Sequence, residues 1–492
     1  MIKTISEYKR QYDFPIRIVQ FGEGNFLRAF WGKAINDLNR MNVLNSQICV
    51  IQPIEHGKLS KLAEQNYLYN VCLQSEDVEN IEIIESIKTG INPYIDFNGF
   101  TALAGNPDLR FIISNTTEAG IVLDPEDSIE NTPPQSFPGK LLYFLYTRYK
   151  MFKGQKGKGL LIFPSELIEN NGTKLLEIML SLSERLSLDP DFKRWLTTEN
   201  EFFNTLVDGI VTGYPFAEAE KFENLLGYKD NFLVKGEPYQ LLVIQGNDQY
   251  RSEFPIEKAA LNVVWTDDLD FYRKIKVRMM NGIQTVMSLS GFLSGLKTER
   301  EALNNPIIGA FMKMGLYDEI SPTLSYSELE KNKFADKMLE RLNNPFIEHF
   351  LEDINLNSFS KYQSRIQPSL SFWQDASRPL PFLLFSTAVL LSFYMNTKKE
   401  NGFYYGECCG IRYQVYDTLK ILETFAQLKV KAVKDRLTTQ DHVESIFKEK
   451  ELWLETPKLS FEQMRIIINI IESIEEKGII ETITDLRKGG LL

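Results

Sequence analysis

The run Ile16-Arg-Ile-Val-Gln-Phe21 leads directly into Gly22-Glu-Gly24-Asn-Phe-Leu-Arg28-Ala-Phe30. The apolar, β-branched first part predicts a strand, and the second part predicts a glycine turn that opens a helix. Glycines at such a turn let the backbone approach a dinucleotide pyrophosphate, which the free N–H groups of the helix start then bind. The third glycine of the usual fingerprint is absent, so an ordinary strand–turn–helix connection is the alternative. The residues predicted to bind cofactor here are Gly22, Gly24, Asn25, Phe26 and Arg28.

Strand and helix patterns alternate along the first half of the chain. Further strands are predicted at residues 47–52, 110–115, 159–163, 206–212, 240–244 and 261–265, with a helix at 140–150 and a β-hairpin insertion at 68–73 and 82–86. Such alternation is typical of a parallel, doubly wound sheet with helices on both faces. We therefore predict an α/β, Rossmann-like N-terminal domain over residues 1–267.

Polar residues follow two of these strands at their carboxyl ends, where ligands of doubly wound sheets bind. Gln52 ends the second strand, where an acidic residue would hold the ribose of NAD; that acidic signal is either missing or displaced to Glu55. Thr117 and Glu118 follow the strand at 110–115 in the same way. We predict that Gln52, Thr117 and Glu118 belong to the cofactor site.

Helical periodicity dominates from residue 268 onward and predicts a mostly α-helical C-terminal domain over residues 268–492. Residues 397–409, which include Cys408 and Cys409, are predicted to form an exposed loop. The predicted helices are 271–293, 300–313, 327–342, 345–354, 379–394, 413–427, 430–437, 439–448 and 461–476.

The stretch Lys276-Val-Arg-Met-Met-Asn-Gly-Ile-Gln284 lies in the first of these helices. On an α-helix, Gln284 and Asn281 lie about 80° and about 140° round from Lys276, so the three polar side chains share one arc. A lysine beside an asparagine on a largely buried helix suits a catalytic acid and its hydrogen-bonding companion. A solvated helix start, with Lys and Arg at 273, 274, 276 and 278, is the alternative.

Composition limits the classes of function. Apolar residues make up 43% and charged residues 25% of the 492, which is typical of a globular protein, and no apolar run is long enough to span a membrane. A net charge of −11 argues against nucleic acid as a partner. The three histidines are scattered and the four cysteines form no zinc or disulfide pattern, so we expect no metal. The N-terminus lacks an apolar signal core, which predicts a cytoplasmic protein.

Several segments together resemble the long-chain polyol dehydrogenase family, that of mannitol dehydrogenase. The likeness is closest to its hexuronate branch, which contains the tagaturonate and fructuronate oxidoreductases. The turn at 20–25 favours the tagaturonate side, and Phe30 stands where mannitol dehydrogenases usually have histidine. The matching segments are residues 20–30, 115–118, 137–140, 164–172, 211–215, 262–267, 276–282 and 357–365, so the resemblance covers most of the chain.

The resemblance implies a metal-independent reductase that uses NAD, with NADP not excluded, and a small sugar-acid substrate. It implies that Lys276 is the catalytic acid and base, and that Asn281 and Asn171 flank the reacting carbonyl. An ammonium donor with amide N–H groups would stabilise and then protonate the oxygen that becomes negative as hydride arrives. Lys361 and Arg365, four residues apart, would share a helix face and bind the substrate carboxylate, although solvated surface charge is the alternative.

The chain departs from the family pattern at two positions. Gln284 stands where the family has histidine; it can donate a hydrogen bond to a substrate oxygen but cannot titrate. Gly209 stands where the family has arginine. The leading hypothesis is reduction of a keto-hexuronate, tagaturonate to altronate. The alternatives are a fructuronate or polyol dehydrogenase, and a catalytically weakened relative that binds nucleotide or sugar acid.

Overall fold

A six-stranded parallel sheet organises the first half of the chain. Its strands are β1 (Ile16–Phe21), β2 (Gln47–Ile51), β3 (Ile87–Ile91), β4 (Phe111–Ser114), β5 (Leu161–Pro164) and β6 (Glu201–Phe202). They lie in the order β3-β2-β1-β4-β5-β6, and every neighbouring pair is parallel. This is the strand order of dinucleotide-binding sheets, in which ligands bind at the carboxyl ends where the order reverses, here between β1 and β4. The doubly wound α/β fold is confirmed.

The computed structural model describes residues 3–76, 78–116, 120–374 and 378–489. The chain divides into two units, and the boundary falls between Tyr272 and Arg273, a few residues beyond the predicted domain end at 267. We describe each unit by itself.

Alternate residues of the sheet strands enter different apolar cores. In β1, Ile18 packs into a core with Trp31 and Phe163, whereas Val19 packs into a second core with Phe144. All these side chains are buried. Burial on both faces explains why the central strands are mostly apolar rather than alternating, as is typical of parallel sheets.

The remaining strands of the first unit form smaller sheets. The predicted hairpin is confirmed as Tyr69–Gln74 paired with Glu79–Ile84, and it joins Val211–Gly213 and Val234–Gly236 in a four-stranded sheet. Asn204–Asp208, Leu241–Gln245 and Asn262–Trp265 form a separate three-stranded sheet, and Lys3–Thr4 pairs with Tyr228–Lys229. The expectation that the predicted strands at 206–212, 240–244 and 261–265 extend the parallel sheet was wrong. Asn204–Asp208 pairs antiparallel to Leu241–Gln245, so these strands do not continue the parallel arrangement.

Helices cover both faces of the parallel sheet. The one that follows β1 is continuous but changes from α (Asn25–Leu27) to π (Arg28–Gly32) and back to α (Lys33–Arg40). The other α-helices of this unit are Leu59–Glu64, Phe97–Ala104, Phe137–Phe152, Asn171–Arg185, Pro190–Thr198 and Ala219–Leu226, with 3₁₀ turns at Ile5–Glu7, Phe216–Glu218, Asp248–Ser252 and Ile256–Lys258.

The second unit is mostly helical, as predicted. It is entered through one long helix, which we call the Lys276 helix, made of Leu269–Ile275 (α), Lys276–Asn281 (π) and Gly282–Leu293 (α). The other helical segments are Glu299–Asn304, Ile308–Met314, Gly315–Ile320 (π), Ser321–Thr323 (3₁₀), Glu328–Leu342, Leu351–Ile354, Ser358–Arg365, Gln367–Phe372, Pro381–Tyr394, Leu419–Asp435, Thr439–Lys448, Phe461–Lys477 and Ile479–Arg487.

The predicted exposed loop at 397–409 was wrong. Lys398–Glu400, Phe403–Cys408 and Ile411–Gln414 form a three-stranded antiparallel sheet, and the helix predicted from 413 begins only at Leu419. The tyrosine ring of residue 413 stacks on Phe393 with ring centroids 4.3 Å apart. An apolar anchor of this kind on one face of a short strand is a tertiary contact that local periodicity does not reveal. No helix in the described residues is long and apolar enough to cross a membrane.

Candidate active site and cofactor site

The turn after β1 has the backbone geometry that its glycines predict. Gly22 has φ +110°, a conformation that side chains rarely adopt, and its N–H bonds to the Ile51 carbonyl at 2.9 Å. A Cβ on Gly22 would lie 2.8 Å from Cδ1 of Leu27, closer than packing allows. Gly22 is therefore needed for the turn itself.

Gly24 and Asn25 leave the start of the following helix open. Gly24 is exposed, and no heavy atom lies within 4 Å of the position that its Cβ would take. Asn25 is also exposed and begins the helix. An open backbone at a helix N-terminus, at the carboxyl end of β1, fits the pyrophosphate of a dinucleotide.

The side chains of Arg28 and Phe26 stabilise this turn. Arg28 is buried, and its guanidinium donates to the Glu23 carbonyl at 2.5 Å and to Asn25 Oδ1 at 2.8 Å. Burial lowers the pKa of Arg28 from its ordinary value. Phe26 is half-buried and stacks on Phe30 at a centroid distance of 4.9 Å. These two predicted cofactor residues shape the turn, whereas Gly24 and Asn25 present its open surface.

Gln52 organises the loop that follows β2. Its Nε2 donates to the carbonyls of Ile54 and Glu55 at 2.8 and 3.0 Å, and its Oε1 accepts from the Leu59 N–H at 3.3 Å. A cavity beside this loop, at the carboxyl ends of β2 and β3, is lined by Gln52, Glu55, His56, Gly57, Leu59, Ser60, Ala63, Tyr67, Gly90, Ile91, Asn92, Ile95 and Asp96. Its position suits the adenosine half of a dinucleotide bound at the glycine turn.

Glu166, which our sequence analysis did not select, joins the carboxyl ends of β4 and β5. Its carboxylate accepts from Ser114 Oγ at 3.0 Å and from the N–H and Oγ1 of Thr116 at 2.9 and 3.0 Å. Burial raises the pKa of Glu166, and these hydrogen bonds oppose that rise. The predicted cofactor residues Thr117 and Glu118 come next in the chain but lie outside the described residues. A buried acid just after a strand end is the signal that sequence reasoning passed over.

Asn171 is fully engaged inside the first unit. Its Nδ2 donates to the carbonyls of Pro164, Glu166 and Thr205 at 3.0 to 3.1 Å, and its Oδ1 accepts from two backbone N–H groups. The amide thus has no hydrogen left for another acceptor. Here Asn171 holds the segment after β5 in place; its direct contact with a reacting carbonyl stays a prediction.

Lys276 and Asn281 are the first and last residues of the π-helical segment of the Lys276 helix. The N–H of Gly282 reaches back five residues to the Val277 carbonyl, which is the π-helical hydrogen bond. Lys276 and Asn281 are both half-buried. Asn281 Oδ1 is a buried oxygen without a hydrogen-bond partner among the described residues. A buried, unpaired acceptor is costly unless a ligand or water satisfies it, so Asn281 Oδ1 points to a binding site.

Arg365 reaches the same part of the Lys276 helix. Its Nη1 donates to Thr285 Oγ1 at 3.1 Å and lies 3.5 Å from the Asn281 carbonyl oxygen. Lys361, one turn earlier, is half-buried and donates from Nζ to the Ile354 carbonyl at 2.8 Å. The structure therefore places Arg365 against the predicted catalytic segment, whereas Lys361 contacts the Ile354 carbonyl.

Gln284 and Gly209 are the two positions that depart from the family. The Gln284 side chain is 8% exposed and makes no hydrogen bond with another described residue. At Gly209, a Cβ would lie 3.2 Å from the Tyr239 carbonyl oxygen, so the neighbouring backbone leaves little room for a side chain. An added arginine at 209 would therefore require a small backbone shift.

Arg278 is a further cation on the π segment, and it is half-buried. Its guanidinium donates to Thr323 Oγ1 at 2.7 Å and to Ser369 Oγ at 2.7 and 3.0 Å. Burial lowers the pKa of Arg278 to about 10. These hydroxyl contacts hold the Arg278 side chain, and with it the π segment, against Thr323 and Ser369.

Comparison with known proteins decides the family. A family model described as the mannitol dehydrogenase Rossmann domain matches residues 16–258, and the mannitol dehydrogenase C-terminal domain matches residues 268–464. The chain belongs to the mannitol dehydrogenase family. The family predicted from the sequence is thus confirmed, and the chain is a dehydrogenase that acts on CH–OH groups with a nicotinamide cofactor.

Relatives in sequence and structure agree with that membership. Altronate oxidoreductase of Halalkalibacterium halodurans is 37% identical over 98% of this chain and 95% of its own length. Altronate oxidoreductase of Bacillus subtilis is 43% identical over 80% and 82%. Pseudomonas fluorescens mannitol 2-dehydrogenase, solved with NAD and D-mannitol, shares the fold with a TM-score of 0.73 over 97% and 95% at 19% identity. A D-sorbitol dehydrogenase solved without substrate gives 0.75 over 98% and 100% at 18% identity.

Proposed function

We propose that this chain interconverts a keto-hexuronate and its aldonate with NAD(H), and that its substrate pair is tagaturonate and altronate. The observation that carries the proposal is the Arg365 guanidinium beside the Asn281–Thr285 turn, on the helix that bears Lys276. A fixed cation beside an unpaired polar oxygen suits a sugar acid better than a neutral polyol. Relatives that cover nearly the whole chain and are named altronate oxidoreductase support the same substrate.

The chemistry divides between cofactor and protein. A bound nicotinamide supplies or removes the hydride. When a ketone carbon gains hydride, its oxygen gains negative charge, and the Lys276 ammonium stabilises that charge and donates a proton to it. In the direction of oxidation, neutral Lys276 removes the proton from the hydroxyl. Asn281 orients the same oxygen or its neighbour through its side-chain amide.

Recognition of the sugar acid falls to the residues around this pair. Thr285 holds the Arg365 side chain through Nη1, and a guanidinium is suited to a bidentate contact with a carboxylate. Gln284 lies one turn beyond Met280 and offers an amide to a substrate hydroxyl. Lys361 adds positive charge on the same helix as Arg365. Asn171 contributes by holding the loop after β5.

NAD is proposed as the cofactor in preference to NADP. The cavity at the ends of β2 and β3 is lined by the carboxylates Glu55 and Asp96, and neither lysine nor arginine lines it among the described residues. A 2′-phosphate would meet negative charge there, whereas a ribose hydroxyl would not. Gly22, Gly24 and Asn25 are proposed to hold the pyrophosphate at the turn.

The Gln284 side chain supports a second candidate substrate, fructuronate. Because Gln284 stands where the family has histidine, its contact with the sugar differs, and the same residues would reduce fructuronate. The turn at residues 20–25 resembles that of the tagaturonate branch, so tagaturonate is the first candidate.

One assay tests the proposal. The purified chain is incubated with NADH, or with NADPH, and tagaturonate, fructuronate or fructose, and loss of reduced cofactor is followed by absorbance. We expect NADH-dependent reduction of tagaturonate with the highest kcat/KM of the panel. A preference for fructose contradicts the sugar-acid assignment, a preference for fructuronate selects the second candidate, and no turnover with any pair supports a binding protein with weakened catalysis.

A further inference from the structure

Cys408 and Cys409 form a pair of adjacent thiols in the second unit, far along the chain from the catalytic helix. Their Sγ atoms are 3.7 Å apart, and neither sulfur is in a disulfide. Cys408 is buried at the end of strand Phe403–Cys408, and Cys409 is half-buried. A disulfide holds its sulfurs about 2.05 Å apart, so these two atoms are close enough to meet after a local rearrangement of the turn.

Cys409 occupies a backbone position that is unusual for cysteine. Strand Phe403–Cys408 pairs with Ile411–Gln414, with Cys408 opposite Ile411, so Cys409 and Gly410 are the two turn residues. Their φ angles are +53° and +73°, as a tight type I′ hairpin requires. Asparagine and glycine normally take such positions, because a side chain with φ above zero is strained. A cysteine held in this strained conformation is a candidate for a use of its thiol.

The surroundings distinguish this pair from the other two cysteines. Both thiols line an open cavity with the cations of Lys398 and Lys429 and the carboxylates of Glu407 and Glu475. A hydrogen bond from the Cys408 thiol lowers the pKa of Cys409. Cys49 and Cys72, in contrast, are buried in apolar cores, and burial raises their pKa values to about 12 and about 11. A thiolate is the reactive form of cysteine, so Cys409 is expected to react faster than Cys49 and Cys72.

We propose that Cys408 and Cys409 are a site of reversible oxidation, at which a hydroperoxide converts the adjacent dithiol into a vicinal disulfide. The Cys409 thiolate attacks one peroxide oxygen; the O–O bond breaks, an S–O bond forms, and the other oxygen leaves as an alcohol or water after taking a proton. Cys408 then attacks the Cys409 sulfenic sulfur, the S–S bond forms, and water leaves with the Cys408 proton. Two electrons pass from the sulfurs to the peroxide.

The product is expected to be easily reduced. Adjacent residues have Cα atoms about 3.8 Å apart, which is shorter than the separation that disulfides prefer. Such strain makes a disulfide labile, and a dithiol reductant should restore the thiols. The turn also contacts the neighbouring helix, because Cys409 Sγ donates to the Ile474 carbonyl at 3.6 Å. Oxidation removes this S–H donor, so the oxidised turn loses its hydrogen bond to the helix Phe461–Lys477.

The test measures each thiol in the full-length protein. The chain is treated with one equivalent of hydrogen peroxide, the remaining thiols are alkylated, and peptides are identified by mass spectrometry. We expect the peptide with Cys408 and Cys409 to lose two hydrogens and to resist alkylation, at a rate about tenfold or more above oxidation of Cys49 and Cys72. Dithiothreitol should reverse the change.

Two variants separate the steps. Cys408→Ser should stop at the Cys409 sulfenic acid, which dimedone traps. Cys409→Asn keeps a residue suited to the left-handed turn and should show no oxidation at 408 under the same dose. The proposal is overturned if the parent pair reacts no faster than Cys49 and Cys72, a comparison within one folded protein that does not depend on how the variants fold. It is also overturned if Cys409→Asn leaves Cys408 oxidised as in the parent.

Discussion

Arg365 and Thr285 join two helices of the second unit through one hydrogen bond, from Nη1 to Oγ1 at 3.1 Å. Thr285 is one turn beyond Asn281, and its own hydroxyl donates to the Asn281 carbonyl at 2.8 Å. Arg365, Thr285 and Asn281 are therefore linked in a row. The row fixes a guanidinium beside the segment that carries the proposed catalytic acid.

Replacing Arg365 with glutamine should weaken sugar-acid turnover selectively. Loss of a charge-assisted contact costs about 1.5–3 kcal/mol, so kcat/KM for the hexuronate should fall about 10- to 100-fold. A neutral ketose should lose much less. The measurement is the substrate panel on Arg365→Gln, with Arg412→Gln as a control, since Arg412 is exposed and pairs with Glu400. An equal loss on both substrate classes would assign Arg365 to structure alone.

Lys276→Ala should remove the acid and leave the cofactor site intact. General acid catalysis contributes about 10²- to 10⁴-fold, so kcat should fall by that factor while NADH affinity stays close to that of the parent. Lys274→Ala is the matched control, because Lys274 is an exposed lysine two residues earlier. If Lys276→Ala keeps more than about a tenth of the parent rate, Lys276 is not the acid.

Most of the parallel sheet could be predicted because its signals are local. The apolar runs that form β1, β2, β4 and β5 were all predicted as strands from the sequence. β3 and β6 were missed for a physical reason: Ile87–Ile91 is only partly buried and contains Lys88 and Gly90, and Glu201–Phe202 is two residues long. Their strand conformation comes from pairing with neighbours already in the sheet.

The sequence named candidate site residues, whose roles stay predictions, and it predicted the geometry of the Lys276 helix less well. An α-helical wheel placed Lys276 and Asn281 about 140° apart, and the π segment between them changes that relation. The chain also packs closely at Gly282, where the α-helix resumes: a Cβ there would lie 3.2 Å from Cδ1 of Ile366 and 3.4 Å from the carbonyl oxygen of Arg365, at the end of the helix Ser358–Arg365. Packing against that helix is invisible in the sequence, as are the hydrogen bonds that occupy Asn171 and Arg28.

Two glycine variants should separate cofactor binding from folding. Gly24→Val projects a branched side chain into space that the structure leaves open, so the fold should survive while NADH affinity falls sharply. Gly22→Ala instead strains a backbone at φ +110° and crowds Leu27, so it should lower the unfolding temperature. The measurements are NADH titration and thermal unfolding of both variants. Unchanged NADH binding by Gly24→Val would place the pyrophosphate elsewhere.

Glu319 should make stability depend on pH. Its buried carboxylate accepts the N–H groups of Phe382 and Leu383, both at 2.9 Å, and burial raises its pKa from 4.5 to about 7. The folded chain then holds this proton to a higher pH than the unfolded chain. The free-energy contribution is present below pH 4.5 and is lost as pH rises to about 7.

Glu319→Gln should remove that dependence. Between pH 5 and pH 8, the free energy of unfolding of the parent should fall by about 1–3 kcal/mol relative to that of the variant, measured by urea unfolding. Glu340→Gln is the control, because Glu340 is an exposed acid paired with Lys337. A parent–variant difference that stays constant over this range would show that Glu319 does not titrate there.

Gln284→His restores the side chain found in the family, and the fold should tolerate it. The Gln284 side chain makes no hydrogen bond with another described residue, so the substitution breaks no side-chain hydrogen bond among them. If Gln284 binds a substrate hydroxyl, histidine can donate to the same oxygen, and activity on the hexuronate should be kept or raised. The rate profile should also gain a group that titrates near pH ~6.5.

A second variant at this position distinguishes hydrogen bonding from packing. Gln284→Leu keeps a similar volume without an amide, so its KM for the sugar acid should rise while NADH affinity is unchanged. Both variants are measured with the substrate panel across pH. If the chain prefers another substrate, Gln284→His should improve uronate reduction at that substrate's expense. A Gln284→His protein that folds but reduces none of the parent's substrates, or a Gln284→Leu protein with the parent's KM, would show that Gln284 does not contact the sugar.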